Sequence, residues 1–215
     1  EMLDGDQIMA LVAEYWSRTD RLRGGGVVAT VMSNLGLERY LEKIGLTLER
    51  TKVGDRYVVE HMRRYGFNLG GEQSGHVVLP GHATTGDGLV AALQTLNVMI
   101  GRQRPLSELA SVMTRYPQIL VNRMVRSKPP LSELPTVQAC IRAGDQKLAG
   151  DGRILVRYSG TEQKARIMVE GADTEGISTV ANDIAEALRL GREIYNDECY
   201  ASMKDYDTSD QMRLS

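Results

Sequence analysis

The sequence predicts an α/β protein in two parts, a layered α/β domain over residues 1–125 followed by a small α+β domain over 131–192. Three observations carry this. Up to residue 125, short runs of β-branched or apolar residues alternate with segments of helical spacing, the pattern of strand–helix–strand crossovers. At Arg126-Ser127-Lys128-Pro129-Pro130 the composition breaks, with no apolar residue to bury and two prolines that exclude helix, which reads as an interdomain linker. Beyond it the order becomes helix, strand, strand, helix.

The elements follow in turn. Ile8, Leu11, Val12 and Tyr15 sit at helical spacing behind Asp4-Gly5-Asp6, giving a helix over roughly 5 to 18 with an aspartate at its cap. Gly24-Gly25-Gly26 punctuates the chain before a buried strand, Val27 to Met32. Ser33 or Asn34 caps the next helix, whose stripe is Leu37, Tyr40, Leu41 and Ile44. Leu46 to Lys52 predicts a second strand, Asp55 to Tyr65 a helix and Val77 to Leu79 a strand. Asp87 is placed to cap a long helix carrying Leu89, Leu93, Leu96 and Ile100. A helix from Leu106 to Thr114 and a strand from Gln118 to Val125 complete the first part. In the second, Leu134 to Ala143 predicts a helix, Arg153 to Arg157 and Lys164 to Val169 strands, and Ile177 to Leu188 a strongly amphipathic helix. Residues 193–215 are polar and acidic without periodicity, which predicts a frayed tail.

Bulk composition narrows the function. Of 215 residues, 42% are hydrophobic and 25% charged, an ordinary globular balance, and the net charge of −2 supplies no basic field for nucleic acid or an anionic membrane. No apolar run approaches the ~20 residues needed to cross a bilayer. Cys140 and Cys199 are far apart and lack metal spacing, which favours a reducing, cytoplasmic setting. The chain opens on Glu1 and runs almost at once into a helix, which suits the downstream part of something longer.

Two glycine-rich loops concentrate the chemistry. In Gly70-Gly71-Glu72-Gln73-Ser74-Gly75-His76 a carboxylate, an amide, a hydroxyl and an imidazole crowd among glycines before an apolar strand. Glu72 can accept two sugar hydroxyls, Ser74 can donate and accept, and glycine lets backbone approach a ligand, so this is a candidate sugar-gripping loop. His82, in the next polar turn, could touch a ligand, but with no acid or cysteine at triad or metal spacing it reads first as a solvated histidine. In Arg157-Tyr158-Ser159-Gly160-Thr161-Glu162 a guanidinium, hydroxyls and a glycine amide make a candidate phosphate cradle, with Arg166 adding charge from the following strand.

These motifs resemble the α-D-phosphohexomutases, and within them the bacterial phosphoglucosamine mutases. Gly71 to His76 is similar to the family's sugar-specificity loop, and Arg157 to Thr161 with Arg166 to Gly171 is similar to its phosphate loop and the strand after it. Asp4 to Gln7, Lys52 to Tyr57, Thr84 to Gly88 and Tyr116 to Asn122 add to the likeness, which spans residues 4 to about 190. The resemblance implies four domains around one cleft, with a phosphoserine in the first, a Mg²⁺ loop of three aspartates in the second, and this chain as the third and fourth. It implies interconversion of glucosamine 6-phosphate and glucosamine 1-phosphate through a bisphosphate, feeding amino-sugar nucleotide and cell-wall synthesis. It makes Glu72, Ser74 and His76 the sugar-side residues, and Arg157, Ser159, Gly160, Thr161 and Arg166 the phosphate-side ones. The catalytic serine and the metal ligands are expected in the missing amino-terminal domains, so the chain alone is expected to be inactive. Asp4-Gly5-Asp6 lacks the third aspartate of the metal loop and reads as a helix start. Tyr158 and Gln163 stand where many relatives carry proline, which predicts a less rigid phosphate loop. A phosphomannose or phosphoglucose mutase, for which a different residue is expected at Gln73, and a non-catalytic sugar-phosphate module remain the alternatives.

Overall fold

The computed structural model describes residues 2–190, so the tail expected over 193–215 lies outside the described residues. The first helix, α1 (Gly5–Arg18), opens on a capping box. The Asp4 carboxylate accepts the Gln7 N–H at 3.0 Å and the Gln7 side chain accepts the Asp4 N–H at 3.1 Å, satisfying two of the helix's exposed amides. Met9, Ala10, Leu11, Val12 and Ala13 are buried in an unbroken run, so the middle of the helix is enclosed on every side. The chain continues through β1 (Gly26–Thr30), α2 (Leu35–Lys43), β2 (Thr47–Thr51), α3 (Asp55–Tyr65), β3 (Gly70–Gly71), β4 (Val77–Val78) and α4 (Gly88–Arg102). Of the two candidate caps for α2 it is Asn34 that accepts the Gly36 N–H, at 2.9 Å. Asp87 caps α4 by accepting from Leu89 and Val90.

The first sheet has the order β2-β1-β3-β4. Pairs β1–β2 and β1–β3 are parallel, and β4 returns antiparallel to β3. The segments after β1, β2 and β3 therefore all leave the same carboxyl edge, where open α/β sheets hold their ligands. Gly70 and Gly71, expected as loop, are strand residues: a Cβ on Gly70 would come within 2.6 Å of the Val28 carbonyl oxygen, an approach only glycine permits.

Helix α4 turns its row of large apolar residues to solvent. Leu89, Leu93, Leu96 and Ile100 of α4 face outward, and Ala91, Thr95 and Val98 face the core. The helix is apolar on both sides, and the face of smaller residues allows it to lie close to α1, where a Cβ on Gly101 would come 2.2 Å from the Tyr15 hydroxyl. The helix beginning at Leu106 is a single turn, α5 (Leu106–Leu109), rather than one reaching Thr114.

The second unit contains β5 (Gln118–Met124), α6 (Pro135–Leu148), β6 (Gly152–Tyr158), β7 (Lys164–Gly171) and α7 (Thr174–Leu190). Its sheet is antiparallel in the order β5-β7-β6. Strand β5, assigned by sequence to the first domain, pairs along its whole length with β7, so the division between sheets falls before Gln118 and Arg126–Pro130 is a connection inside the second unit. The reason is its alternation. Ile119 and Val121 join the core under α6 and α7, while Leu120 and Asn122 point to the opposite face, as in a half-buried antiparallel strand. Ile154, Val156, Ala165, Ile167 and Val169 complete that core with Val137, Ile177, Val180 and Ile184.

The opposite face of this small sheet meets the first unit. Gln118, Glu170 and Arg153 lie side by side across its three strands. Arg153 Nε donates to Glu170 Oε2 at 2.8 Å, and its two terminal nitrogens donate to the carbonyls of Val31 and Ser33, each at 3.0 Å. Glu170, fully buried, also accepts the Leu35 N–H at 3.3 Å and the Gln118 side-chain amide at 3.0 Å. A next row, Leu120, Met168 and Leu155, is apolar. The row after that is Asn122, Arg166 and Arg157.

Asp6 fixes the same β1–α2 segment from the other side. It is completely buried and accepts the Asn34 N–H at 2.7 Å. Burial pushes its carboxyl up to about 6, against the lowering pull of that N–H. The folded state therefore keeps the Asp6 proton to higher pH than the unfolded chain, whose ordinary value is 3.8. For this group stability is greatest below about pH 4 and falls by roughly 2 to 3 kcal/mol as pH rises to about 6. Replacing Asp6 with Asn should remove that slope, so the difference in unfolding free energy between variant and parent should move in the variant's favour by that amount between about pH 4 and about pH 7. A difference constant across urea melts in this window would show that Asp6 ionises as freely folded as unfolded.

Candidate functional site

The hairpin β3–β4 displays the first loop at the carboxyl edge. The Glu72 N–H donates to the His76 carbonyl and the Gly75 N–H to the Glu72 carbonyl, both at 3.0 Å, which closes a tight turn. Gly75 sits at φ +98°, a conformation a side chain would strain. The turn also leans on α1: the Gly5 N–H donates to the Gln73 carbonyl at 2.9 Å, and a Cβ on Gly5 would lie 2.1 Å from the Glu72 carbonyl oxygen. The helix start is thus a support for the loop.

Within it, Glu72 is half-buried and one carboxylate oxygen accepts the Gly54 N–H at 3.1 Å from the segment after β2. Its second oxygen and the exposed Ser74 hydroxyl remain to accept or donate outward. His76, also exposed, lies with Nε2 3.9 Å from the Asp55 carboxylate and its ring against Gly86. His82, by contrast, is at the far, amino edge, beside Gln94 in a cavity of about 770 Å³ lined also by Trp16, Arg21, Arg23 and Arg63. A smaller cavity of about 280 Å³ lies between α6 and α7 around the free thiol of Cys140. Neither cavity touches the two loops.

The second loop joins β6 to β7. Arg157 and Arg166 are direct cross-strand partners, with Asn122 on the far side of Arg166. Two like charges opposite each other across a ladder repel, so the arrangement is favourable only with an anion nearby. Glu162 supplies part of it, binding Lys164 at 2.8 Å and Arg166 at 2.9 Å, and these contacts hold its carboxyl below the usual range. Among the described residues Arg157 meets the Met32 sulfur at 3.8 Å and no carboxylate. Burial first, and then Arg166, lowers the Arg157 pKa. Met32 follows β1, so Arg157 reaches the same sheet edge as the Glu72 hairpin.

Ser159 is buried, and its hydroxyl accepts the Glu162 N–H at 3.2 Å while its N–H donates to the Lys164 carbonyl at 2.8 Å. It shapes the loop and keeps one O–H to donate. Gly160 and Thr161 are exposed at the tip. Two residues come to this loop that motif reading did not single out: Asn122, by strand pairing, and Lys128, whose ammonium meets the Ser159 carbonyl at 2.6 Å. Tyr158 packs into the second core and the Val125 N–H donates to the Gln163 carbonyl at 2.7 Å, so both positions that replace proline are tied down by other means.

A metal fits none of this. Asp4 is engaged by the capping box and lies 3.6 Å from Arg115, Asp6 is buried on Asn34, and no three His, Cys, Asp or Glu side chains cluster for a metal among the described residues. No helix among them is long and apolar enough to cross a membrane.

Residues 4–116 match the family profile described as phosphoglucomutase/phosphomannomutase, alpha/beta/alpha domain III, and residues 120–187 match its C-terminal domain. The chain belongs to this family. The point where the two matches part, between 116 and 120, is where the two sheets divide. The chain is 58% identical over 191 residues to the phosphoglucosamine mutase of Rhodospirillum centenum, covering 86% of this chain and 40% of that protein. It is 53% identical to that of Paramagnetospirillum magneticum, covering 87% of this chain and 42% of the relative. The family fold is also seen in an N-acetylphosphoglucosamine mutase from Aspergillus fumigatus, solved with GlcNAc-6P and magnesium, with a TM-score of 0.73 at 23% identity over 89% of this chain and 44% of that one. The chain thus spans well under half the length of these relatives.

Proposed function

We propose that this chain is the substrate-binding half of a cytoplasmic phosphoglucosamine mutase, which interconverts glucosamine 6-phosphate and glucosamine 1-phosphate through a bisphosphate that turns over in the cleft. The observation that carries the reading is the Arg157–Arg166 pair facing the same sheet edge as the Glu72 hairpin. A phosphate between two opposed guanidiniums relieves their repulsion and takes charge-assisted hydrogen bonds from both, while Glu162 releases Arg166 to it. Ser159, Gly160, Thr161 and Lys128 close the cradle with a hydroxyl, an amide and a further cation. Across the edge, Glu72 and Ser74 hold ring hydroxyls, with His76 beside them. The similarity to relatives named phosphoglucosamine mutase, at 58% and 53% identity, favours the glucosamine substrate over other hexoses. The phosphoserine and the Mg²⁺ that phosphoryl transfer requires are assigned to polypeptide outside this chain.

Titration with glucosamine 6-phosphate by calorimetry tests the clamp. Arg157→Ala should lose about 2 to 4 kcal/mol of binding, roughly 30-fold to nearly 1,000-fold in affinity, with the circular dichroism spectrum unchanged. Unchanged affinity would remove this loop from the site.

A further inference from the structure

Helix α4 carries no charged side chain before Arg102 at its last position, yet one whole face of it is open. Leu89, Leu93, Leu96 and Ile100 are 72%, 56%, 50% and 76% exposed, at successive spacings of four, three and four residues that align them in one stripe. The stripe runs about 16 Å along the helix. The core side is already satisfied by Ala91, Thr95 and Val98. A helix apolar on both faces belongs between two layers, and a solvated surface helix would carry charge where these leucines stand.

We infer that this stripe is the seat of the polypeptide that forms domains I and II in the longer relatives. The relatives matched carry more than half their length beyond the region shared with this chain, which is ample to cover such a face. The shared region is their domain III and C-terminal domain, so domain II connects to α1. Helix α4 lies directly against α1, the helix that follows that connection, with Arg102 Nη1 3.5 Å from Glu14 and Gly101 against Tyr15. The contact is apolar and separate from the two loops, so it holds the cleft together without touching substrate. It rests on family membership and not on the hexose assignment.

The test is chemical labelling. Leu93→Cys is introduced with Cys140 and Cys199 replaced by Ala, both in the 215-residue chain and in a single chain joining it to the polypeptide that precedes the shared region in the Rhodospirillum centenum relative. A water-soluble maleimide should label the cysteine freely in the short chain and at least about tenfold more slowly in the joined one, while Lys43→Cys labels equally in both. Equal rates at Leu93→Cys in a joined chain that melts cooperatively would overturn the inference. So would protection in the short chain that rises with protein concentration, which would put a second copy on the stripe. As a second measurement, Leu93→Glu with Leu96→Glu should leave the melting temperature of the short chain unchanged and lower that of the joined chain. No lowering there would also overturn it.

Discussion

Replacing Glu170 with Ala should destabilise the protein by about 3 to 5 kcal/mol, the range for breaking a buried ion pair on one side only. The carboxylate is fully buried and takes up the Arg153 guanidinium, the Leu35 N–H and the Gln118 amide. Removing it leaves a nearly buried cation whose remaining partners are the Val31 and Ser33 carbonyls. Because those carbonyls belong to the first unit, the loss falls on the junction between the two sheets. Glu170→Gln keeps one acceptor for the Leu35 N–H and should cost less, and the double change Arg153→Met with Glu170→Leu should recover part of the stability, since an apolar pair needs no compensation. Urea unfolding of the four proteins compares these costs. Unchanged stability in Glu170→Ala would mean the pair is a bystander. A second consequence is functional: the junction holds the Met32 segment against Arg157, so phosphate affinity should fall along with stability.

How much of this was legible follows from how local each signal is. The bounds of α1 and α3 were both legible, and for α1 the reason is that its cap and 3.6-residue periodicity lie within one short window. The two glycine loops stand out in the sequence for the same reason, their polar groups being packed into six or seven consecutive residues. The junction was not. Arg153 and Glu170 are separated by 17 residues and Arg153 lies 122 residues from Val31, so nothing in a sequence window brings them together. Asn122 and Lys128 escaped likewise, since strand pairing and a returning connection carry them to the loop between β6 and β7. The assignment of β5 failed because a five- to seven-residue alternating run tells which face is buried and not which sheet it joins. The orientation of α4 is not legible either, because both of its faces are apolar and periodicity cannot choose between them.

The largest expected effect concerns turnover. Transfer of a phosphoryl group needs an in-line nucleophile and a cation to neutralise the charge developing on the transferred group, and no amount of positioning replaces either. Under the proposed function, the residues gathered at the sheet edge are positioning residues: guanidiniums, an ammonium and hydroxyls for a phosphate that does not react, and a carboxylate for sugar hydroxyls. The two aspartates at the start of α1 are engaged elsewhere, one in a capping box and one buried on Asn34. The 215-residue chain should therefore fold, since each sheet has its own apolar core, and bind sugar phosphate weakly, with half of the cleft wall lying in other polypeptide. It should give no conversion above background with Mg²⁺ and glucosamine 1,6-bisphosphate in a coupled assay, a deficit of at least about 10⁶-fold against a typical enzyme. Joining the amino-terminal portion of a relative, in one chain, should restore turnover, and Arg157→Ala should depress it again. Mg²⁺-dependent conversion by the short chain alone would sink this division of labour, and would return Asp4, Asp6 and Ser159 to consideration as groups that touch the reacting phosphate.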